Sequence, residues 1–263
     1  MKDLLRKYHK VFAAFVVVIL IMISYSLYTT VRYSLPQTVR TILIKAVGPD
    51  IEMQSIKFRE FGRIEASGVT LKDGEELILS APKVEVRYSF RRIIKGRIDS
   101  IDIKNPKVWI SRDKNNNINI VKAFSKKSQS GKSSTSKAGT GVPIDMITAT
   151  GGELIYRDIA YERPIEKTVY NVKGYVSFHK DKGINLDFDG DIGEEKYRFL
   201  FDNNDTRYAL GIKLNNININ NNLMQYAYNS EKLSYLSGTV NLDLTLKPGS
   251  FTGSGDFRNA SVT

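Results

Sequence analysis

The chain has no cysteine, two histidines and one tryptophan among its 263 residues. Without cysteine there is no disulfide, no thiolate metal site and no cysteine nucleophile. The redox compartment stays open, because a cysteine-free chain suits any of them. His9 and His179 are separated by a long apolar run and build no joint site. Acidic side chains are also scarce: 28 Asp and Glu stand against 39 Lys and Arg, a formal net charge of +11. Such a balance favours anionic surfaces, either nucleic acid or anionic lipid.

Two segments look like chemistry and fail on spacing. Ser130-Gly131-Lys132-Ser133 is similar to the end of a phosphate-binding loop, but the glycine that loop needs at position 126 is Lys126. Asp187, Asp189 and Asp191 are spaced like the start of a calcium loop, yet its sixth and twelfth positions are Ile192 and Arg198 instead of Gly and Glu. The first two read better as the wet face of a strand. Nowhere do an acid, a base, a nucleophile or a set of metal ligands converge. We therefore expect no catalytic residues, no metal, no cofactor and no enzymatic activity.

What the sequence does have is a long apolar run. Residues 11–23 read VFAAFVVVILIMI, and SYSLYTTV carries the run on to Val31. That is about the length a helix needs to cross a hydrocarbon core of ~30 Å. Lys2, Arg6, Lys7 and Lys10 precede it against a single Asp3, which holds that end in the cytoplasm. A cleavable signal peptide is the alternative. Its usual small-residue cleavage site is missing, since the nearest candidate, Ser24-Tyr25-Ser26, carries a bulky tyrosine at its centre. We read 1–10 as a basic cytoplasmic tail and 11–31 as a transmembrane signal anchor, with Phe12, Phe15, Val18, Leu20 and Ile23 among its lipid-facing residues. The remainder then lies outside the cytoplasm, which sets nucleic acid aside as a partner.

Beyond the anchor, PQTVRTILIKAV at 36–47 opens on a proline and repeats Val39, Leu43 and Val47 at a spacing of four. The pattern predicts a short amphipathic helix ended by Gly48-Pro49. It would lie on the outer leaflet or plug the end of a following sheet. The period then changes to two. Val84, Val86, Tyr88 and Phe90 alternate with Lys83, Glu85, Arg87 and Ser89. Ile101 and Ile103, then Ile184, Leu186 and Phe188, then Val240, Leu242, Leu244 and Leu246 do the same among polar neighbours. Each is a strand with one apolar and one wet face. Asp73-Gly74, Asn115-Asn116-Asn117, Asp181-Lys182-Gly183 and Pro248-Gly249 mark the turns. About a dozen strands joined this way make antiparallel meandering the default.

Two blocks of strands, 32–124 and 142–263, flank SKKSQSGKSSTSKAGTG at 125–141, which is too polar to repay its own ordering and reads as a flexible linker or exposed loop. NNININNN at 215–222 reads as a loop with one short strand. Trp109, between Val108 and Ile110, is expected on the face opposite to theirs. Arg91, Arg92, Lys95 and Arg97 cluster near a turn, where they are either a charged sheet edge or a contact for anionic lipid.

Several phrases resemble the AsmA-like group, which includes TamB. Gly68-Val69-Thr70-Leu71-Lys72-Asp73 and Ala81-Pro82-Lys83-Val84-Glu85-Val86 are two of them. Gly96 to Val108, with Ile98, Ile101, Ile103 and Pro106, is a third, and Arg112-Asp113 with Asn119-Ile120 is a fourth. Gly253 to Val262 is similar to the strand phrase that the group repeats. The resemblance implies a mainly β protein: an elongated antiparallel sheet curled into a hydrophobic, taco-like groove and anchored in the inner membrane with its bulk in the periplasm. It implies movement of phospholipid toward the outer membrane, or assembly of outer-membrane proteins with a barrel partner. Members of that group are longer, so it also implies an N-terminal portion.

With that expectation the alternating residues acquire a role. Val84, Val86, Tyr88, Ile101, Ile103, Ile184, Leu186, Phe188, Val240, Leu242 and Leu244 would line the groove and Arg91, Arg92, Lys95 and Arg97 would meet anionic lipid. Alternation by itself would equally build a closed sandwich of structural or adhesive function, with the same residues as core. A dozen strands spaced ~4.8 Å apart reach about 60 Å, too short to bridge two membranes unaided.

Overall fold

The computed structural model describes residues 2–47, 50–120, 122, 143–160, 165–179, 183–204, 207–218 and 236–262. The 125–141 segment lies outside the described residues, as do positions 219–222 of the asparagine-rich stretch. The chain is mainly β, with one long N-terminal helix and a large curved sheet.

Helix α1, Lys2–Val47, is a single helix of 46 residues. The separate amphipathic helix expected at 36–47 is instead the continuation of the apolar one, and Pro36 sits inside it. Pro36 has no N–H to give the preceding turn. The adjoining turns hold because Leu35, Val39, Ile42 and Leu43 bury one stripe against the sheet. Of the two placements open to this segment, the structure shows the plug.

The strands are β1 (Ile51–Glu60), β2 (Arg63–Asp73), β3 (Glu76–Arg87), β4 (Ile98–Lys104), β5 (Lys107–Arg112), β6 (Ile144–Asp158), β7 (Ile165–His179), β8 (Gly183–Ile192), β9 (Glu195–Asn204), β10 (Arg207–Asn218), β11 (Leu236–Lys247) and β12 (Ser250–Val262). A single turn of helix, α2 (Phe90–Ile93), links β3 to β4. All twelve strands belong to one sheet, and no second sheet faces it among the described residues. Asp73-Gly74 and Pro248-Gly249 make hairpins as expected, with both glycines at positive φ.

The meander is interrupted once. β4 and β5 lie end to end against β3, and both run parallel to β6. The chain leaves β5 at one end of the sheet and re-enters at the other, so the two blocks join side by side in parallel. The pairing keeps one register throughout, Ile98 with Ile144 and Arg112 with Asp158.

A line of irregularities crosses the strands, near mid-length in β2, β6 and β7 and near the strand ends in β8 and β10. Gly68 (φ +58°) in β2 lies opposite Pro82 in β3, between the pairs Ser67 with Lys83 and Val69 with Ala81. Next come Asn105 (φ +49°) between β4 and β5, Gly151 (φ +66°) in β6 and Asn171 (φ +52°) in β7. Gly190 follows in β8, and Asn216 (φ +58°) opposite Asn241 in the bulge between β10 and β11. Asparagine tolerates the left-handed region better than other residues with a Cβ, which is why it alternates with glycine here. Each bulge bends its strand, and bulges aligned across neighbours bend the sheet as a whole. The inward spacing shifts at the same line: Ile64, Ala66 and Val69 are all buried in one cluster, two and then three residues apart.

The far end of β5 is tied by polar groups. Asp158 is fully buried, and its carboxylate accepts from Arg112 Nη2 at 2.6 Å, Tyr156 Oη at 3.0 Å and Ala160 N at 3.0 Å. Burial alone would push its pKa up; Arg112, the Ala160 N–H and the Tyr156 hydroxyl outweigh that and hold it below the ordinary value. Asn119 accepts from Ser111 N and Ile120 N and donates to Glu76 Oε1 and the Trp109 carbonyl. Asp113 caps the turn below, accepting from Asn115 N and Asn117 N.

Two outcomes follow for stability. Asp158→Asn removes the buried negative charge on which Arg112, Tyr156 and the Ala160 N–H converge and is expected to cost about 3 kcal/mol in chemical unfolding, whereas Asp243→Asn in the exposed pair with Lys213 costs under ~1 kcal/mol. A Cβ on Gly151 would stand 2.5 Å from Asn105 Oδ1. Gly151→Ala is therefore expected to lose about 1–3 kcal/mol, and adding Asn105→Gly should recover the part due to that clash, leaving the backbone strain.

Candidate functional site

The register places apolar side chains opposite one another across the whole sheet. Phe58 of β1 pairs with Ile64, Ile64 with Val86, and Val86 with Ile101. Ile101 pairs with Ile147, Ile147 with Val176, Val176 with Leu186 and Leu186 with Phe201. Phe201 continues to Leu210, Leu246 and Phe251 of β12. Directly paired residues share a face. A second row runs beside it from Ile56 through Ala66, Val84, Ile103 and Ala149 to Gly174, Phe188, Phe199, Ile212 and Leu244.

One apolar face thus runs unbroken from β1 to β12. Among the described residues it is covered at one end only. The outer half of α1 closes over β1 to β4, so Val86 is 0% exposed and Val84, Tyr88 and Ile101 are buried beside it. Ile103 and Ile147 are partly covered at its margin. Past that margin the same rows open. Ile184 is 38% exposed, Leu246 40% and Phe251 66%. Leu186, Phe188 and Leu244 are half-buried. Val240 is an exception, buried with Ile217 beneath Tyr197, Leu214 and Leu242 at the bulge line.

Of the residues expected to form one apolar surface, the pairing brings Val84, Val86, Ile101, Ile103, Ile184, Leu186, Phe188, Val240, Leu242 and Leu244 onto one face. Tyr88, just past β3, joins them in the buried cluster. The structure divides them, however, into a closed core at β1–β4 and an open stretch from β7 onward. Sequence reasoning missed Phe199, Phe201, Leu210 and Ile212 on the open stretch. Their alternation in YRFLFD and YALGIKL is visible in the sequence but is blurred by Leu200 and Gly211 on the other face.

The opposite face is charged. Glu65, Glu85 and Asp102 stand directly opposite one another on β2, β3 and β4, a repulsive row. Basic side chains neutralise it. Arg59 and Lys83 each reach Glu65 at 2.6 Å, Arg63 and Arg87 reach Glu85, and Arg87 also reaches Asp102. Farther on, Asp187 pairs with Arg198, Asp189 with Lys173 and Asp243 with Lys213. Arg198 holds the Asp187 carboxyl below its ordinary value, so Asp187 and Asp189 are ion-pair partners on the wet face, while Asp191 accepts from the Asn171 side-chain amide. Among the described residues no group of three His, Cys, Asp or Glu is arranged to hold a metal ion.

The basic cluster near α2 separates into two kinds. Arg92 pairs with Asp99 and Asp145, and Arg97 with Asp145, so both fasten β4 to β6. Arg91 and Lys95 point outward and make no ion pair among the described residues. In α1, Phe15, Val18, Leu20 and Ile23 are exposed, in a helix long and apolar enough to cross a membrane. Phe12 lies in the same helix, its side chain outside the described residues.

Comparison with protein-family models and with curated protein sequences finds no match to this chain. The resemblance to the AsmA-like group rests on the short phrases alone, and the phrases themselves fall on strands, bulges and the Asn119 and Asp158 contacts.

Glu65 gives a pH test of the charged face. Arg59 and then Lys83 draw its carboxyl from the ordinary 4.5 to about 2. A carboxylate depressed in the folded state adds stability above its unfolded pKa and loses it as pH falls through the folded one. The stability gap between the native chain and Glu65→Gln is thus expected to be full near neutrality, to shrink below about pH 4.5, and to be gone near pH 2. Paired urea titrations across that range measure it, and added salt should narrow it.

Proposed function

We propose that the protein is a membrane-anchored conduit for lipid acyl chains, with α1 in the inner membrane and the sheet in the periplasm, passing phospholipid toward the outer membrane. The observation that carries this reading is the apolar face that continues from β1 to β12 and that, among the described residues, is covered only over β1–β4. An acyl chain needs apolar surface at each step and no specific pocket, and each methylene it buries is worth ~0.8 kcal/mol. Repeated rows of Ile, Leu, Val and Phe supply such surface at nearly equal free energy from strand to strand, so sliding meets low barriers. The sheet's curvature would fold this face into a groove around the chain. An ordinary sandwich would need a second layer, which the described residues do not contain.

A second reading has its own observation. Among the described residues β12 pairs with β11 alone and is largely exposed, and its other edge could accept a strand from an outer-membrane protein under assembly.

Photo-crosslinking residues at Leu186 and Leu246, in the full chain expressed in cells with two membranes, test the conduit. Phospholipid adducts are expected at both. Val86, closed under α1, and the outward Asp187 should give none. Adducts equal at Asp187 and Leu186, or at neither, would refute lipid passage along this face. Client protein crosslinked to β12 alone would favour strand addition.

A further inference from the structure

The end of the sheet nearest the apolar half of α1 has features that neither the core nor the conduit explains. Tyr28, near the end of the apolar run, stacks edge-on against Phe58 at 6.4 Å and meets Phe61 at 6.5 Å. The β1–β2 turn therefore lies at the level where α1 leaves its apolar stretch. The β3–α2–β4 connection is at the same end, since Arg63 pairs with Arg87 and Arg87 with Ser100. These two connections present Phe61, Phe90 and Ile94, exposed at 69%, 64% and 69%.

One helical turn beyond Tyr28, a crevice of about 380 Å³ opens between α1 and β1, lined among others by Arg32, Tyr33, Gln37, Lys57, Phe58 and Arg59. Three of these are cationic. Arg59 is engaged by Glu65, while Arg32 and Lys57 have no carboxylate partner among the described residues. The nearby acids are already committed: Glu65 to Arg59 and Lys83, Glu60 to Arg63, Asp99 to Arg92. The crevice thus carries uncompensated positive charge, with Phe58 and the exposed Tyr33 in its lining and the exposed Phe61 beside Phe58. Arg91 and Lys95 extend the positive charge at this end of the sheet.

We propose that this crevice binds the head group of an anionic phospholipid in the bilayer that α1 crosses, with Phe61, Phe90 and Ile94 seated in the interfacial layer around it. The inference shares with the proposed function only the membrane placement of α1. Charge selects the lipid: Arg32 and Lys57 offer donors to a phosphodiester and a net attraction that a zwitterionic head group cancels internally. Position selects the bilayer over free phosphate, because the crevice sits just beyond the last apolar turn of α1 and the exposed aromatics adjoin it.

The test uses the full chain in vesicles of phosphatidylcholine mixed with phosphatidylglycerol, with a photo-crosslinking residue at Gln37. Phosphatidylglycerol adducts are expected in excess of its share of the bilayer by about fivefold or more, falling to its share in Arg32→Ala/Lys57→Ala. Adducts that follow bilayer composition in the native chain, or none, would overturn the site. Both substitutions are at exposed positions, and an unchanged circular dichroism spectrum shows that the fold persists. Because the chain has no cysteine, single cysteines carrying an environment-sensitive dye give a second reading. Dye at Ile94→Cys should shift to the blue and be quenched by brominated lipid, while dye at Glu75→Cys, at the opposite end of β2–β3, should do neither. Equal behaviour at the two would remove the interfacial seat. Adducts at Gln37 without adducts at Leu186 would keep this site and remove the conduit; the reverse would do the opposite.

Discussion

A single-layer sheet with one apolar face must have that face covered, and here α1 covers only part of it. Leu35, Val39, Ile42 and Leu43 meet the sheet at spacings of four, three and one, the stripe that one side of a helix presents. Each such side chain contributes about 1.5–3 kcal/mol on burial, so this short stretch supplies much of what fixes β1–β4 as a folded unit. It also explains why α1 does not stop at Pro36. A break there would free the second half of the helix from the direction set by the first, and the stripe would lose its alignment with Val69 and Val84. The apolar span and the core are therefore mechanically one piece. Whatever holds residues 15–31 also holds the sheet.

Past β4 no equivalent helix stands among the described residues, and the sheet there depends on pairing, ion pairs and bending. The charged face balances its own repulsive rows with Arg and Lys from adjacent strands, which keeps that face wet and out of any core. The line of bulges acts on the other side. Gly151 and Asn105 sit side by side in parallel strands, both in the left-handed region, so the kink in one strand is matched by its neighbour and the register survives on either side of it. Bending a sheet brings the side chains on its concave face closer together. If the concave face is the apolar one, the bend partly shelters side chains that no helix covers.

How much of this was legible in the sequence follows from what each signal depends on. Alternation is local, so Val84 to Arg87 and Val240 to Leu246 showed their strands directly, and Asp73-Gly74 showed its hairpin; the alternation expected to run on to Phe90 breaks after Arg87, where Ser89 caps the single turn α2 that begins at Phe90. The apolar span was equally plain. The continuation of the helix through Pro36 was not, because the proline is a local stop signal and the packing that overrides it involves Val69 and Val84, far along the chain. The bulges were hidden for the opposite reason. Asn171 and Asn216 look like turn residues, and at 215–222 they suggested a loop; only pairing with β8 and β11 shows that they bend strands without ending them. Arg92 and Arg97 looked identical to Arg91 and Lys95 until the parallel joining of β4 to β6 brought Asp145 beside them. No pattern within 20 residues predicts that neighbour.

The division of one face into a closed and an open part bears on direction. In the proposed conduit, lipid drawn from the bilayer around α1 would not enter the apolar rows at Val86 or Ile101, because α1 itself covers them. Access would have to begin where the cover ends, near Ile147 and Val176, and in that row the side chains are half-buried as far as Leu210 and exposed at Leu246 and Phe251. A surface that grows more exposed along its length stabilises a bound chain less at each step if it stays in water. It stabilises the chain equally well only if something else covers its far end. β12, which among the described residues pairs with β11 alone, and the exposed Phe251 and Phe257 lie at that far end. The proposed lipid passage and the proposed strand addition therefore share one requirement, that β12 works against a neighbouring sheet or strand and not against solvent.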